Sequence, residues 1–114
     1  LMLEKVSQVV LLKDFYGPLL TAKQQEALNM HYENDWSLSE IAASMNTSRQ
    51  AVYDLVKRAE GILQDFEDKL GLVARFQRTR QNLDELKLIL EDSKADNPRL
   101  NQAVSLIEEI SALL

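Results

Sequence analysis

Seven side chains between positions 48 and 58 have the chemistry to read a DNA duplex: Ser48, Arg49, Gln50, Tyr53, Asp54, Lys57 and Arg58. Arginine can bond both major-groove acceptors of guanine, and glutamine can match the donor and acceptor of adenine. Tyr53 can touch a thymine methyl or a phosphate, Asp54 can accept from a cytosine amino group, and Ser48 with the helix start behind it can hold a phosphate. Lys57 and Arg58 would clamp the backbone, each phosphate contact steepening the salt dependence of binding. On a helix these positions project outward, while Ala51, Val52 and Val56 are expected to turn inward.

Other reactive residue types are sparse. Cysteine is absent, which excludes disulfides and thiolate metal sites and points to a reducing, cytoplasmic setting. His31 is the only histidine, so it reads as a partly exposed helix residue and no metal is expected. The carboxylates Asp65, Glu67 and Asp68, like Glu91 and Asp92, read as solvated faces, since neighbours on a helix point apart and no nucleophile accompanies them. With no glycine-rich phosphate loop, nucleophile elbow or triad, the chain reads as a non-enzyme with neither catalytic residues nor cofactor. Arg75, Arg78 and Arg80 form a second basic concentration, which could grip RNA phosphate or simply be solvated.

Helices must position all of this. Glycine and proline are few, and apolar spacings of three and four recur throughout, so the fold class is all-α. A first helix runs to about Tyr16, its apolar stripe flanked by Val6, Val9, Val10 and Lys13, and Gly17-Pro18 stops it. The aromatics Phe15 and Tyr16 are expected to fold onto the core at that corner. Thr21 to Gln24 has the form of a capping box, opening a helix that carries Leu28 and Tyr32 inward and ends at Asn34-Asp35. Ser37 to Glu40 repeats the device, with Trp36 placed to staple the helix start.

The third helix is short. Asn46 suits a left-handed close, and Thr47 or Ser48 can cap the fourth helix. Ile41, Ala42 and Met45 on one helix, and Val52 with Leu55 or Val56 on the next, supply the close crossing of a helix-turn-helix, Asn46 replacing the usual turn glycine. The fourth helix keeps an apolar face through Val56, Ala59, Leu63, Phe66 and Leu70, more than DNA reading needs. After Gly71 come Leu72, Val73 and Phe76, a polar run over 77–82, and renewed apolar spacing at Leu83, Leu86 and Leu90. A loop over 93–97 precedes a last helix with Pro98 in its first turn and Leu100, Val104, Ile107, Ile110 and Leu114 on its stripe.

The 114 residues suit one compact domain or a small domain with a helical extension. Residues 1–70 are read as the helix-turn-helix domain, and 71–114 as an extension that packs on the fourth helix or joins two chains. Leu1 stands where an initiator methionine would, so the first residue or two carry no weight. Charged residues interrupt the apolar start, so neither a signal peptide nor a membrane span is expected. The formal net charge of -5 argues against indiscriminate binding to polyanions. Along the recognition helix, Arg49, Lys57 and Arg58 against Asp54 and Glu60 leave one excess positive charge, which implies weak non-specific binding.

Two stretches carry a family resemblance: Asp14-Phe15-Tyr16-Gly17-Pro18-Leu19-Leu20-Thr21-Ala22-Lys23-Gln24-Gln25, and Asp35-Trp36-Ser37-Leu38-Ser39-Glu40-Ile41-Ala42 continuing through Ser48 to Lys57-Arg58. Together they resemble the YlxM-type small helix-turn-helix proteins of Gram-positive bacteria, whose motif is similar to region 4 of sigma factors. The resemblance implies a sigma region 4-like head with long C-terminal helices. It also implies a cytoplasmic protein encoded beside the signal recognition particle genes that takes part in, or regulates, that targeting pathway. Two functions follow. One is a nucleic-acid-binding regulator, a homodimer whose recognition helices sit about one DNA turn, roughly 34 Å, apart. The other is an accessory protein that meets the particle's RNA or protein through helical surfaces.

Overall fold

The computed structural model of the protein describes the backbone of residues 2–93 and 97–114, and the side chains of 4–92 and 97–114. Six α-helices and one 3-10 turn appear among the described residues, and no strand: α1 (Met2–Tyr16), the turn Gly17–Leu19, α2 (Ala22–Tyr32), α3 (Leu38–Ser44), α4 (Arg49–Leu70), α5 (Leu72–Ser93) and α6 (Pro98–Leu113). The all-α expectation is met. Most of the loop expected over 93–97 lies outside the described residues. Contacts divide the chain into two units, Leu1–Val73 and Ala74–Leu114, with the division inside the first turn of α5.

In the first unit α4 is the central element, buried at Val52, Val56, Ala59 and Leu63. That 4-3-4 spacing keeps one stripe against α1, α2 and α3, which contribute Leu12, Leu28 and Ile41 to the same core. Fully burying such a side chain contributes about 1.5–3 kcal/mol. The stripe ends earlier than expected. Phe66 is half-buried and stacks on Tyr16 with centroids 5.8 Å apart, whereas Leu70 is 47 % exposed because the core has run out beneath the last turn.

Local chemistry sets the helix ends. Thr21 and Ser37 each form a complete capping box, with Gln24 and Glu40 respectively. Asp35 takes a left-handed φ of 58° after α2, and Gly71 takes 63° after α4, where glycine carries no Cβ to clash.

One carboxylate departs from the sequence reading. Glu67 is no solvated face: its Oε1 accepts from the Tyr16 hydroxyl at 2.6 Å and from the Val73 amide at 3.0 Å. Tyr16, only 1 % exposed, accepts in turn from the Leu72 amide at 3.0 Å. The end of α1 therefore caps the start of α5, with Glu67, since the first helical amides have no partner inside their own helix. Burial, then the Glu67 carboxylate, pushes the Tyr16 phenol up from its ordinary ionisation range. Lys13, expected beside the apolar stripe, is buried. Its ammonium donates to Asn29 Oδ1 at 2.8 Å and pairs with Glu33, so the charge is compensated where it is desolvated.

In the second unit α5 is one continuous helix, and the polar run over 77–82 is an exposed stretch of it rather than a break. A helix needs only a stripe of apolar positions, so polar residues between two apolar groups need not end it. The Arg80 guanidinium donates to the Ser111 carbonyl at 3.0 Å, and Lys87 pairs with Glu108 at 3.4 Å. Partners ascend along α5 as they descend along α6, so the two helices run antiparallel. Val104 and Ile107 are buried on α6, but Ile110 and Leu114 from the expected stripe are about half exposed.

Candidate nucleic-acid interface

The helix-turn-helix lies in α3 and α4. Ile41 is fully buried and Ala42 is 6 % exposed on the first helix; Val52 is fully buried and Val56 is 3 % exposed on the second. Alanine at 42 leaves room for close approach. The turn is a Schellman close: Asn46 has φ 54°, its amide donates to the Ala43 carbonyl at 3.4 Å, and the Thr47 amide donates to the Ala42 carbonyl at 3.0 Å. Ser48 then caps α4, its hydroxyl accepting from the Ala51 amide at 3.0 Å.

All seven residues expected at the interface are exposed: Ser48, Arg49, Gln50, Tyr53, Asp54, Lys57 and Arg58. Ala51 is also exposed, against expectation. The buried stripe runs through 52, 56 and 59, and one residue's rotation of about 100° carries position 51 off it. The fold splits the set between two flanks. Tyr53 and Lys57 border a cleft shared with α1 and α2, whereas Asp54 and Arg58 border another beside Gln24.

Their side chains are not equally available. Gln50 donates to Asp54 Oδ1 at 3.0 Å, so its amide is already engaged one turn along the helix. Lys57 sits 3.6 Å from Glu60 and 5.7 Å from the Tyr53 ring centroid. Among the described residues no ion pair engages Arg49 or Arg58. The positive character of the candidate set therefore resides mainly in those two guanidinium groups. Lys5 also lines the cleft with Tyr53 and Lys57, a neighbour that no local pattern announces because it lies on another helix.

The other candidates lie apart from this set. His31 is half-buried, edge-on to Tyr32, with Nδ1 3.4 Å from the Trp36 carbonyl. Tyr32 donates to Glu60, and burial with that carboxylate pushes its phenol far above the ordinary range. Trp36 keeps 36 % exposure and is tied through its backbone amide to the Met30 carbonyl at 3.0 Å. Arg75, Arg78 and Arg80 are exposed on α5, the last lying 6.0 Å from the Phe76 ring centroid. No group of three acidic or histidine side chains that could hold a metal occurs among the described residues, and none of their helices is long and apolar enough to cross a membrane.

A capped short helix, a left-handed turn and a longer second helix with an exposed polar face define a helix-turn-helix protein. A family model described as "Putative helix-turn-helix protein, YlxM / p13 like" matches residues 3–105. The chain belongs to that family, UPF0122. It is 42 % identical over 109 residues to a UPF0122 protein of Bacillus mycoides (strain KBAB4), covering 96 % of this chain and 99 % of the relative. It is 43 % identical over 108 residues to one of Limosilactobacillus reuteri (strain DSM 20016), covering 95 % and 96 %. With one of Thermoanaerobacter sp. (strain X514) the identity is 48 % over 103 residues, covering 90 % and 87 %.

Proposed function

We propose that this cytoplasmic protein binds duplex DNA through Ser48, Arg49, Gln50, Tyr53, Asp54, Lys57 and Arg58, and acts as a regulator linked to the signal recognition particle pathway. The observation that carries the reading is the exposure of Ser48 at the cap and of the other six along the second helix of a closed helix-turn-helix, with Arg49 and Arg58 outside any ion pair among the described residues. Arg49, near the helix start, is the principal base reader, and Arg58 and Lys57 hold phosphates. Gln50 must leave Asp54 to pair with adenine, which lowers its contribution. Residues 71–114 serve as the extension that joins two chains.

Anisotropy with duplex DNA across a salt series tests this. Two phosphate-holding cations per chain, four in the dimer, give a log–log slope of about −3.6, or roughly a 150-fold loss of affinity from about 50 to about 200 mM salt. Arg49→Ala relaxes sequence preference, and Arg58→Ala flattens the slope by about two, one phosphate per chain. If Arg49→Ala together with Gln50→Ala leaves binding to every fragment unchanged, the reading fails.

A second reading has its own support. Leu88, Ile89, Leu106 and Leu113 are each more than half exposed on α5 and α6, so the second unit offers apolar surface to a protein partner. In this reading the motif is a scaffold, and the chain is an accessory that meets the signal recognition particle's protein or RNA. A pull-down with those components at low salt that returns empty counts against it.

A further inference from the structure

The first unit contains a cleft of about 220 Å³ that no motif announces. Val6 from α1, Leu38 from α3 and Val56 from α4 give it apolar lining, and Tyr32 and Tyr53 give it aromatic lining. Lys5 and Lys57 bring two ammonium groups to the same place. Glu60 is the carboxylate among the lining residues, and it is committed to the Tyr32 hydroxyl and to Lys57. Lys5 has no carboxylate partner among the described residues.

Two ammonium groups against one carboxylate leave a local positive excess, in a chain whose formal net charge is -5. Two ammonium groups lining one cleft favour a bound anion that screens them. Phosphate or chloride alone would make no use of the apolar and aromatic lining. That lining fits a flat ring, and positively charged groups beside tyrosine faces suit an anionic ring substituent. Size limits the occupant: drug-sized pockets span about 300–1,000 Å³, so this cleft takes one ring with one anionic group rather than an extended cofactor.

We propose that this cleft binds a small aromatic anion, its ring against Val6, Leu38 and Val56 beside Tyr53, and its carboxylate or phosphate bridging Lys5 and Lys57. The site stands independently of the DNA reading. Only one consequence rests on that reading: Tyr53 and Lys57 belong to both surfaces, so ligand and duplex compete.

The test is an NMR titration of the isotope-labelled intact chain without nucleic acid. The probes are benzoate and uridine monophosphate, their neutral counterparts benzamide and uridine, and inorganic phosphate. Benzoate or uridine monophosphate is expected to give saturable shifts at amides around Lys5, Tyr32, Tyr53 and Lys57, with Kd of about 1 mM or tighter. Which of the two binds more tightly distinguishes a carboxylate from a phosphate ligand. Lys5→Gln weakens that binding about tenfold, equivalent to about 1.4 kcal/mol, while Arg78→Gln leaves it unchanged. The proposal is overturned if neither anion gives saturable shifts, if a neutral counterpart or inorganic phosphate binds as tightly, or if Lys5→Gln has no effect. Because no duplex is present, such a failure says nothing against DNA binding, and loss of DNA binding says nothing against the cleft.

Discussion

Replacing Asn46 isolates the energetic cost of the turn that sets α3 against α4. Asn46 has φ 54° and an exposed side chain, so substitution there changes backbone preference without emptying the core. An L-residue in the left-handed region carries roughly 1–2 kcal/mol of strain, which asparagine relieves by local hydrogen bonding and glycine avoids by having no Cβ. Asn46→Ala is therefore expected to destabilise the protein by about 1 kcal/mol, and Asn46→Val by more, because a β-branched residue crowds the same conformation. Asn46→Gly should fall within about 0.5 kcal/mol of the native protein, its relief of strain offset by a more flexible unfolded chain. Urea denaturation reads this as a midpoint shift of about 0.5–1 M for alanine at unchanged slope. Equal stability of the alanine and glycine variants would refute the argument that left-handed strain sits at this turn.

Further substitutions probe the core, the corner and the buried ionisable groups. Ile41→Ala, at a fully buried position between α3 and α4, is expected to cost about 2–5 kcal/mol in chemical denaturation and to weaken duplex binding only through unfolding. Glu67→Ala leaves the Val73 amide without its acceptor and should cost about 1–3 kcal/mol; combined with Tyr16→Phe the effects should be less than additive, as a double-mutant cycle will show. Tyr32 ionises above its ordinary value of 10.0 in the native state, so the native state keeps a proton that the unfolded chain releases. Its stabilisation is whole below about pH 10 and falls as pH rises through the native value, and Tyr32→Phe should flatten that fall in a pH series of melts. Lys13→Met should lie within about 1 kcal/mol of the native protein, since Glu33 is 52 % exposed and stays solvated without its partner, while methionine keeps the packing of the buried stem.

The short-range features of this fold are legible in the chain because their causes span only a few residues. A capping box needs Thr21 and Gln24, or Ser37 and Glu40, three positions apart. The left-handed turn needs Asn46, and the recognition helix needs its apolar stripe at 52, 56, 59 and 63. The outward placement of Arg49, Tyr53, Lys57 and their neighbours follows from that stripe by helical geometry alone. The same rule, applied to the edge of the stripe, misplaced Ala51, where inward and outward differ by a single residue's rotation.

Long-range partners had no such signature. Glu67 reads as one acid in an acidic helix until the fold brings Tyr16 to it across 51 residues, and Lys13 reads as the polar flank of a stripe until Asn29 and Glu33 enclose it. Lys5 joins Lys57 by the same means. Helical caps, turns and outward faces were determined by the sequence because hydrogen bonding and periodicity act within one or two turns. Which charges are buried, and which meet across helices, was decided by tertiary packing, which sets the desolvation and neighbours of each group.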